Sequence, residues 1–335
     1  MAGPPGRIIA FYGYLRGVGR SLALVNLASL LAANGLRVLM VDWDLEAPGL
    51  HRFFHPFLET AELRTAPGVI DMITDHQSRT VVGAPPVRVT VAPYAVPLRW
   101  PLAARGGGLD LLHAGAQDGD YIDRVAALDW DAFFRWQNGG AFLRELRADM
   151  AERYDYVLID TGPGMGPSAF VCALQMPDDL IFCLGLHPPS IVAGGAIARR
   201  VAEGPLGHRI RILPVLTRVD SGEKELVDEM RSLAQRAFEG LPPGMTHEER
   251  VHYWGCAELP ESPFYSYQEM PALFAEQAGV SHSMLSAVER IADLLTDGRV
   301  RSAPAIEEET RLRVHDLFGR GRRAAQLDDT TPLLP

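Results

Sequence analysis

Short, largely apolar runs alternate with segments of helical periodicity along most of the chain. The apolar runs have the length of strands and the composition of strands that are covered on both faces. They occupy residues 7–13, 37–44, 154–160, 179–186, 210–219 and 251–259. Helical patterns occupy residues 21–34, 140–153, 190–203, 223–238 and 281–295. This alternation predicts an α/β fold with a doubly wound, mostly parallel sheet and helices on both faces.

Two parts of the chain depart from this alternation. Pro and Gly punctuate residues 50–139 around two expected strands, so we interpret this segment as decoration of the main domain. From about residue 299, charged residues predominate and large apolar residues are few, which is typical of a flexible tail. We therefore predict one domain over residues 1–298 and a charged tail over residues 299–335, with one short helix near residues 307–318.

Composition limits the classes of function. The 335 residues are 47% hydrophobic and 22% charged, enough apolar material for one large core. A formal net charge of -10 gives no strong signal for nucleic-acid binding. Cys172, Cys183 and Cys256 lie in apolar runs, as reduced, buried thiols do. No apolar run approaches the ~18 residues that span a bilayer. We expect a cytoplasmic protein.

The segment FYGYLRGVGRSLALVN, between the first strand and the first helix, has the character of a phosphate-binding loop. A helix N-terminus offers free backbone N–H groups to an anion, and Gly17 and Gly19 let the backbone approach it. The pattern G-x-x-x-x-G-K-[ST] would place glycine at position 14 and lysine at position 20, where this chain has Tyr14 and Arg20. Arginine keeps the charge but is planar and bulkier. Ser21 keeps the hydroxyl that reaches magnesium; alone, the pattern also fits a tight turn.

Carboxylates end two further predicted strands. Asp42 and Asp44 lie in VDWDLEAPGL, and Asp160 lies in VLIDTGPG. In a doubly wound sheet these strand ends meet beside the first loop, where ligands bind. Carboxylates at that edge can hold magnesium through its waters and orient an attacking water. We therefore expect these three aspartates around the phosphates, although each alone is also compatible with a loop-bracing role.

These motifs together resemble the ParA/MinD-type P-loop ATPases, the deviant Walker A group of the SIMIBI class. The resemblance is closest to the bacterial subgroup whose loop reads K-G-G-V-G-R. Further matching passages are AGAQDGDYIDRVAALDW, LPVLTRVDSGEKE and ELPESPFYSYQEMPALF, and the matches span about residues 7–275. The resemblance implies a nucleotide-binding domain over residues 1–298 that takes ATP or ADP with Mg²⁺. It also implies a nucleotide-dependent homodimer and a protein partner that the sequence does not identify.

The resemblance assigns a role to particular residues. Nucleotide phosphates and magnesium would be contacted by Gly17, Val18, Gly19, Arg20, Ser21 and Leu22. Asp44 would be the catalytic residue beside the attacking water, whereas Asp160 and Ser21 would bind magnesium. The base would lie near Thr217, Arg218, Asp220 and Pro263.

Two positions and one segment depart from the family pattern. The signature lysine, which reaches across a dimer to the partner's phosphates, corresponds to Leu15, and the following glycine corresponds to Arg16. Arg16 either replaces the missing charge or crowds the loop. Residues 161–164 read T-G-P-G where the subgroup has S-R-T-G, which remains compatible with a loop that senses the γ-phosphate. Because loss of one preorganised charge commonly lowers a rate by about two to three decades, we expect binding to survive better than turnover.

Two functions therefore stay open. The first is an ATP-binding switch with slow or partner-dependent hydrolysis of ATP to ADP and phosphate, which Ser21, Asp44 and Asp160 favour. The second is a non-hydrolysing pseudo-ATPase that acts as a binding or scaffold protein, which Leu15 and Arg16 favour.

Other features fit structural roles. His247 and His252 miss the H-E-x-x-H zinc spacing and predict a solvated helix or loop. A packing cluster is expected for the aromatic residues Trp130, Phe133, Phe134 and Trp136. The segment RLRVHDLFGRGRR is similar to membrane-targeting tails, but its apolar positions do not share one helical face and the neighbouring acidic residues oppose anionic lipid. We do not expect membrane contact through the tail.

Overall fold

A computed structural model of the chain contains an eight-stranded sheet. The structure describes residues 4–58, 66–83, 85, 87–116, 118–205, 207–220 and 222–328, without the side chains of residues 208 and 320–328. The strands are β1 (Arg7–Tyr12), β2 (Arg37–Trp43), β3 (Val96–Pro97), β4 (Gly108–Leu112), β5 (Tyr156–Thr161), β6 (Asp179–Gly185), β7 (Arg211–Val219) and β8 (Glu258–Pro260). Their order across the sheet is β3-β4-β2-β5-β1-β6-β7-β8.

The sheet is parallel except at one edge, where β3 runs antiparallel to β4. β1 lies between β5 and β6, and β5 lies between β1 and β2. Every residue of β5 and β6 is buried, so helices cover both faces of the central strands. The predicted α/β fold class is confirmed. Because β1, β2 and β5 are parallel neighbours, their carboxyl ends bring three loops together at one edge.

Thirteen α-helices are found in the described residues. They are α1 (Arg20–Ala33), α2 (Val69–Val81), α3 (Tyr121–Ala126), α4 (Trp130–Arg135), α5 (Gly139–Arg153), α6 (Pro167–Gln175), α7 (Pro188–Glu203), α8 (Lys224–Ala237), α9 (His247–Cys256), α10 (Pro263–Tyr267), α11 (Ala272–Ala275), α12 (Met284–Leu295) and α13 (Glu308–Asp328). Short 3₁₀ helices are formed by Leu50–Phe57, Ala103–Arg105 and Gly207–Arg209.

α1 is buried along nearly its whole length. It packs against α12 and against strands of the sheet, which explains why its sequence is apolar on all sides. This packing places the N-terminus of α1 beside the ends of β1 and β5.

The strand predicted over residues 251–259 is wrong for most of its length. The chain forms α9 there and only the short strand β8 follows. α9 begins with a capping box, in which Glu249 N donates to Thr246 Oγ1 at 3.3 Å and Thr246 N donates to Glu249 Oε2 at 2.7 Å. The helix then buries Tyr253 and Trp254, aromatic residues that are also common in strands.

Residues 50–139 contain the two expected strands, β3 and β4, together with α2, α3 and α4, which the pattern did not predict. The aromatic cluster forms around Phe133, which is fully buried and meets Trp130 and Phe134 edge-on. Trp136 is 78% exposed and lies outside that cluster. The expected packing role is therefore confirmed for three of the four aromatic residues.

The C-terminal helix α13 is longer than the short helix expected near residues 307–318, and it is docked on the body. Val314 and Phe318 are buried, and the Phe318 ring meets the Phe57 ring edge-on at 5.8 Å. Arg311 donates hydrogen bonds to backbone carbonyls, one of them that of Phe274 at 2.9 Å. The domain boundary at residue 298 stays a prediction. A detached tail would not make these contacts with the rest of the protein. Within the described ranges, no helix has both the length and the apolar character needed to cross a membrane.

Candidate functional site

A cavity of about 370 Å³ opens at the carboxyl edge of the sheet, beside the N-terminus of α1. Most of the residues predicted to bind nucleotide line it, namely Gly17, Val18, Gly19, Arg20, Ser21, Leu22, Asp44, Thr217 and Arg218. Asp160, Asp220 and Pro263 are not among the described lining residues, although Ser262 and Tyr265 on either side of Pro263 are. The fold thus brings the first loop, the end of β2 and the ends of β7 and β8 to one cavity.

The loop before α1 has the backbone of an anion-binding turn. Gly17 and Gly19 have φ of 74° and 80°, in the left-handed region that favours glycine. The first helical hydrogen bond runs from Ala23 N to Gly19 O at 3.0 Å. Among the described residues, no side chain caps the helix and no acidic residue lies in its first turn. The first N–H groups of a helix have no partner within it, so they remain available to an anion.

Arg20 is buried between two carboxylates. Its Nε lies 2.6 Å from Asp160 Oδ1, and its Nη2 lies 2.8 Å from Asp44 Oδ2. Burial lowers the pKa of Arg20, but the charges of Asp160 and Asp44 outweigh it and raise the pKa above its ordinary value. Ser21 Oγ donates to Asp160 Oδ2 at 2.5 Å. The structure therefore places Arg20 at the predicted position in the loop, with its guanidinium already paired.

Asp44 lines the cavity beside this guanidinium. Burial raises the pKa of Asp44, the Arg20 charge lowers it and the Asp160 charge raises it. The net effect is a pKa above the ordinary value. Its Oδ1 accepts a hydrogen bond from Ala47 N at 3.3 Å, which folds the chain back after β2. The carboxylate predicted to lie beside an attacking water is therefore at the cavity wall, paired with Arg20.

Asp42 is fully buried behind the cavity, opposite Asp160 in the register of β2 and β5. Its Oδ2 accepts hydrogen bonds from Gly49 N and Leu50 N at 2.9 and 3.1 Å, so it braces the start of the 3₁₀ helix Leu50–Phe57. Burial, together with the Asp160 charge, raises the pKa of Asp42 to about 7. The expected group of three aspartates is present, but Asp42 supports a loop and does not line the cavity.

The two positions that depart from the family pattern lie at the cavity mouth. Leu15 is half-buried and packs against the core, whereas Arg16 is exposed and its Nη2 lies 3.2 Å from Glu46 Oε2. Arg16 therefore does not crowd the turn of Gly17 in this conformation. Its charge, like that of Arg20, is matched by a carboxylate.

The loop after β5 is tied to the end of β1. Thr161 Oγ1 donates to Phe11 O at 2.9 Å, and Tyr12 OH donates to Gly164 O at 2.7 Å. Burial raises the pKa of Tyr12 to about 12, so this hydroxyl stays protonated as a donor. Pro163 lines the cavity between these two anchors. The T-G-P-G segment thus forms one wall, and tyrosine at position 12 was not found by sequence reasoning.

On the opposite wall, Arg218 joins the first loop to the loop after β8. Its Nη1 donates to Gly17 O at 2.9 Å, while Nε and Nη2 donate to the two carboxylate oxygens of Glu261 at 2.8 and 3.0 Å. Thr217 is buried at the same wall, and its Oγ1 has no hydrogen-bond partner among the described residues. Asp220 instead accepts a hydrogen bond from Gly222 N in a turn. Glu261 carries no sequence signal that would have singled it out.

Comparison with solved structures identifies the fold. The septum site-determining protein MinD from Pyrococcus horikoshii, complexed with Mg-ADP, superposes with a TM-score of 0.59 at 16% identity over 87% of this chain and 96% of that one. The ATP complex of a McdA variant from Cyanothece gives a TM-score of 0.62 at 14% identity over 91% of this chain and 100% of that one. The chain has the ParA/MinD-type P-loop ATPase fold. The fold resemblance inferred from the sequence motifs is confirmed.

The sequence relationships are more distant. No protein-family model matches the chain. The tyrosine-protein kinase ptk of Acinetobacter johnsonii is 26% identical over 156 residues, which are 47% of this chain and 16% of the kinase. The chain spans only a small part of that relative's length, so nothing of the kinase's activity is carried over to this chain.

The oxygen donors at the cavity and directly behind it fit a magnesium nucleotide. Among the described residues, no group of three or more His, Cys, Asp or Glu side chains is placed to hold a metal ion by itself. Mg²⁺ in phosphate sites commonly takes one or two protein oxygens and fills the remainder with phosphate oxygens and water. The Ser21 hydroxyl and the Asp160 carboxylate, which already contact each other, are such a pair.

Proposed function

We propose that the chain binds ATP or ADP with Mg²⁺ in this cavity and acts as a nucleotide-dependent switch with slow or partner-dependent ATP hydrolysis. The observation that carries the proposal is the uncapped N-terminus of α1, which opens into the cavity behind two glycines with positive φ. An uncapped helix end beside such a turn is an anion site in which the ligand completes the hydrogen bonding.

In this proposal the backbone N–H groups of residues 17–22 hold the phosphates, and Ser21 and Asp160 hold Mg²⁺. Bound Mg²⁺ would neutralise part of the phosphate charge. Because Arg20 is paired with Asp160 and Asp44, its charge offsets part of the repulsion between these two carboxylates and a bound anion. Thr217, Arg218, Asp220 and Pro263 border the side of the cavity where the base would lie.

Slow turnover follows from the charges at the cavity. Its three lining arginines, Arg16, Arg20 and Arg218, each face a carboxylate. Leu15 supplies no charge at the position of the signature lysine. Asp44 would orient the attacking water, but the charge that develops on the phosphoryl oxygens would meet few uncommitted cations. A partner protein or a second copy of the chain would then be needed to supply one.

A non-hydrolysing scaffold is the second candidate. The same observation that explains slow turnover, three paired arginines and a half-buried Leu15, favours it. The two candidates share the cavity and differ only in whether phosphate is released. The nucleotide-dependent homodimer, the protein partner and the cytoplasmic location belong to both proposals; the buried free thiols of Cys172 and Cys183 are compatible with that location.

Calorimetric titration with ATP and ADP, with and without Mg²⁺, tests the binding site. Ser21→Ala should weaken Mg-ATP binding by about tenfold or more, because it removes a hydroxyl from the metal's surroundings. Ser232→Ala is the matched control, since Ser232 is an exposed helix serine far along the chain whose hydroxyl bonds only a backbone carbonyl. An unmodified protein with no affinity for either nucleotide would contradict the proposal. Phosphate release measured on the same samples separates the switch from the scaffold.

A further inference from the structure

We propose that Arg218 is a positioning residue for the phosphate loop, acting through the carbonyl of Gly17, and that Glu261 holds it in that position. The inference rests on the proposed nucleotide site and goes beyond the expectation that Arg218 lies near the base. We call the contacts from Glu261 to Arg218 and from Arg218 to Gly17 the Arg218 clamp.

The clamp joins three separate parts of the fold. Arg218 lies in β7, Glu261 follows β8, and Gly17 lies in the loop between β1 and α1. Glu261 takes two of the guanidinium donors in a bidentate pair, and the third donor reaches Gly17 O at 2.9 Å. A bidentate pair fixes the plane of a guanidinium as well as its position, so Glu261 aims the third donor.

The backbone of Arg218 indicates that this placement is imposed by its surroundings. Its φ is 57°, in the left-handed region that residues with a Cβ adopt at a cost. The same conformation brings the side chain over the second glycine of the loop, because Arg218 Cγ lies 3.8 Å from the place where a Cβ on Gly19 would be.

The carbonyl contact controls the direction of an N–H group. In a trans peptide the C=O of one residue and the N–H of the next point in opposite directions, so holding Gly17 O fixes where Val18 N–H points. Glycine allows the peptide to flip, and a flipped peptide would turn a carbonyl oxygen, instead of an N–H, toward an anion. The clamp therefore keeps the loop in one of two orientations, the one that can receive a phosphate.

Two variants distinguish this positioning role from a purely electrostatic effect of Arg218 and Glu261 on phosphate binding. Arg218→Gly removes the clamp and relieves the positive φ, so the fold should be as stable as before or more stable. Glu261→Ala removes a negative charge beside the cavity. Electrostatics alone predicts tighter phosphate binding in Glu261→Ala, whereas loss of the clamp predicts weaker binding. Arg231→Ala is the control, because Arg231 forms a similar bidentate pair with Glu258 but does not line the cavity.

Affinities for Mg-ATP, magnesium pyrophosphate and adenosine are measured for each variant, by calorimetry and by ligand-observed NMR for adenosine. We expect Arg218→Gly and Glu261→Ala each to weaken the binding of ATP and of pyrophosphate by about tenfold. The affinity for adenosine should stay unchanged. The variant that combines Arg218→Gly with Glu261→Ala should lose no more phosphate affinity than Arg218→Gly alone, since both residues act through one contact. Arg218→Lys should recover only part of the affinity, because lysine lacks the planar fork.

The clamp is overturned if Glu261→Ala binds pyrophosphate more tightly than the unmodified protein, or if Arg218→Gly loses adenosine affinity and keeps pyrophosphate affinity, which would show a base contact. Hydrogen exchange gives a readout without ligand: the amides of Val18 and Gly19 should exchange faster in Arg218→Gly than in Arg231→Ala. Equal exchange in the two variants also overturns it. An unmodified protein that binds no phosphate ligand refutes the nucleotide site, while the exchange experiment still decides whether the clamp orders the loop.

Discussion

Arg20 and Asp160, 140 positions apart in the chain, are joined by a contact of 2.6 Å between Nε and Oδ1. This ion pair connects the first residue of α1 to the end of β5. With Asp44 on the other side, one cation separates two carboxylates in a buried site. The Arg20 guanidinium therefore stabilises the carboxyl edge of the sheet and is also a candidate for ligand binding.

Arg20→Ala should lower the free energy of unfolding by about 3–5 kcal/mol, because it leaves two buried carboxylates facing each other. It should also weaken nucleotide binding more than Arg16→Ala does, since the unpaired carboxylates would repel phosphates. Arg16→Ala is the control: its exposed pair with Glu46 should change stability by no more than about 0.5 kcal/mol. Urea unfolding and calorimetric titration of both variants check this. Equal losses of nucleotide affinity would contradict it.

Restoring the signature lysine should raise turnover. Leu15 lies at the cavity mouth, so Leu15→Lys places an uncommitted cation there, and Leu15→Lys with Arg16→Gly also restores the small residue beside it. We expect phosphate release to rise by about two to three decades at most, with the larger rise in the double variant. The rise should depend on dimer formation if the lysine acts on a second copy's nucleotide.

The measurement is phosphate release over a range of protein concentrations, with the oligomeric state followed by light scattering. Background release from the double variant at concentrations where dimers are confirmed would favour the scaffold. Fast release from the unmodified chain would show that another group already performs the lysine's function.

Asp42 should make stability depend on pH. Its pKa is raised to about 7 in the folded chain, above its ordinary value of 3.8, so the folded state binds the additional proton between these values. Stability should therefore fall as pH rises from about 4 to about 7, with a slope of at most about 1.4 kcal/mol per pH unit from this group. Asp42→Asn removes that contribution. Urea unfolding of both proteins across this range is the test, and parallel slopes would show that Asp42 is ionised in the folded state.

The docking of α13 should depend on Phe318. Its side chain is 2% exposed and meets the Phe57 ring, so Phe318→Ala should expose the helix to solvent and raise amide exchange over residues 308–318. Leu312→Ala is the matched control on the same helix, because Leu312 is 61% exposed. Hydrogen exchange followed by mass spectrometry distinguishes the two. Similar protection of α13 in both variants would mean that the helix is held by its polar contacts, such as those of Arg311.

Much of the site could be predicted from the sequence because it depends on local pattern. Apolar runs predicted five of the long strands, and a glycine pair between a strand and a helix predicted the loop with positive φ at Gly17 and Gly19. Aspartates at strand ends predicted a carboxylate cluster, since parallel strands must end at one edge. The strand predicted over residues 251–259 was wrong because the apolar run was interpreted as a strand, whereas the capping box at Thr246 starts a helix there.

The sequence by itself determined the fold class and the position of the phosphate loop, because strand and helix periodicity and glycine's access to positive φ are properties of neighbouring residues. Only the tertiary structure decided how the charges are paired. Arg20 meets Asp160 across 140 positions, and Arg218 meets Gly17 across 201. A charged side chain binds the opposite charge or the carbonyl group that lies within hydrogen-bonding distance. The packing of strands and helices decides which group that is, and spacing along the chain does not.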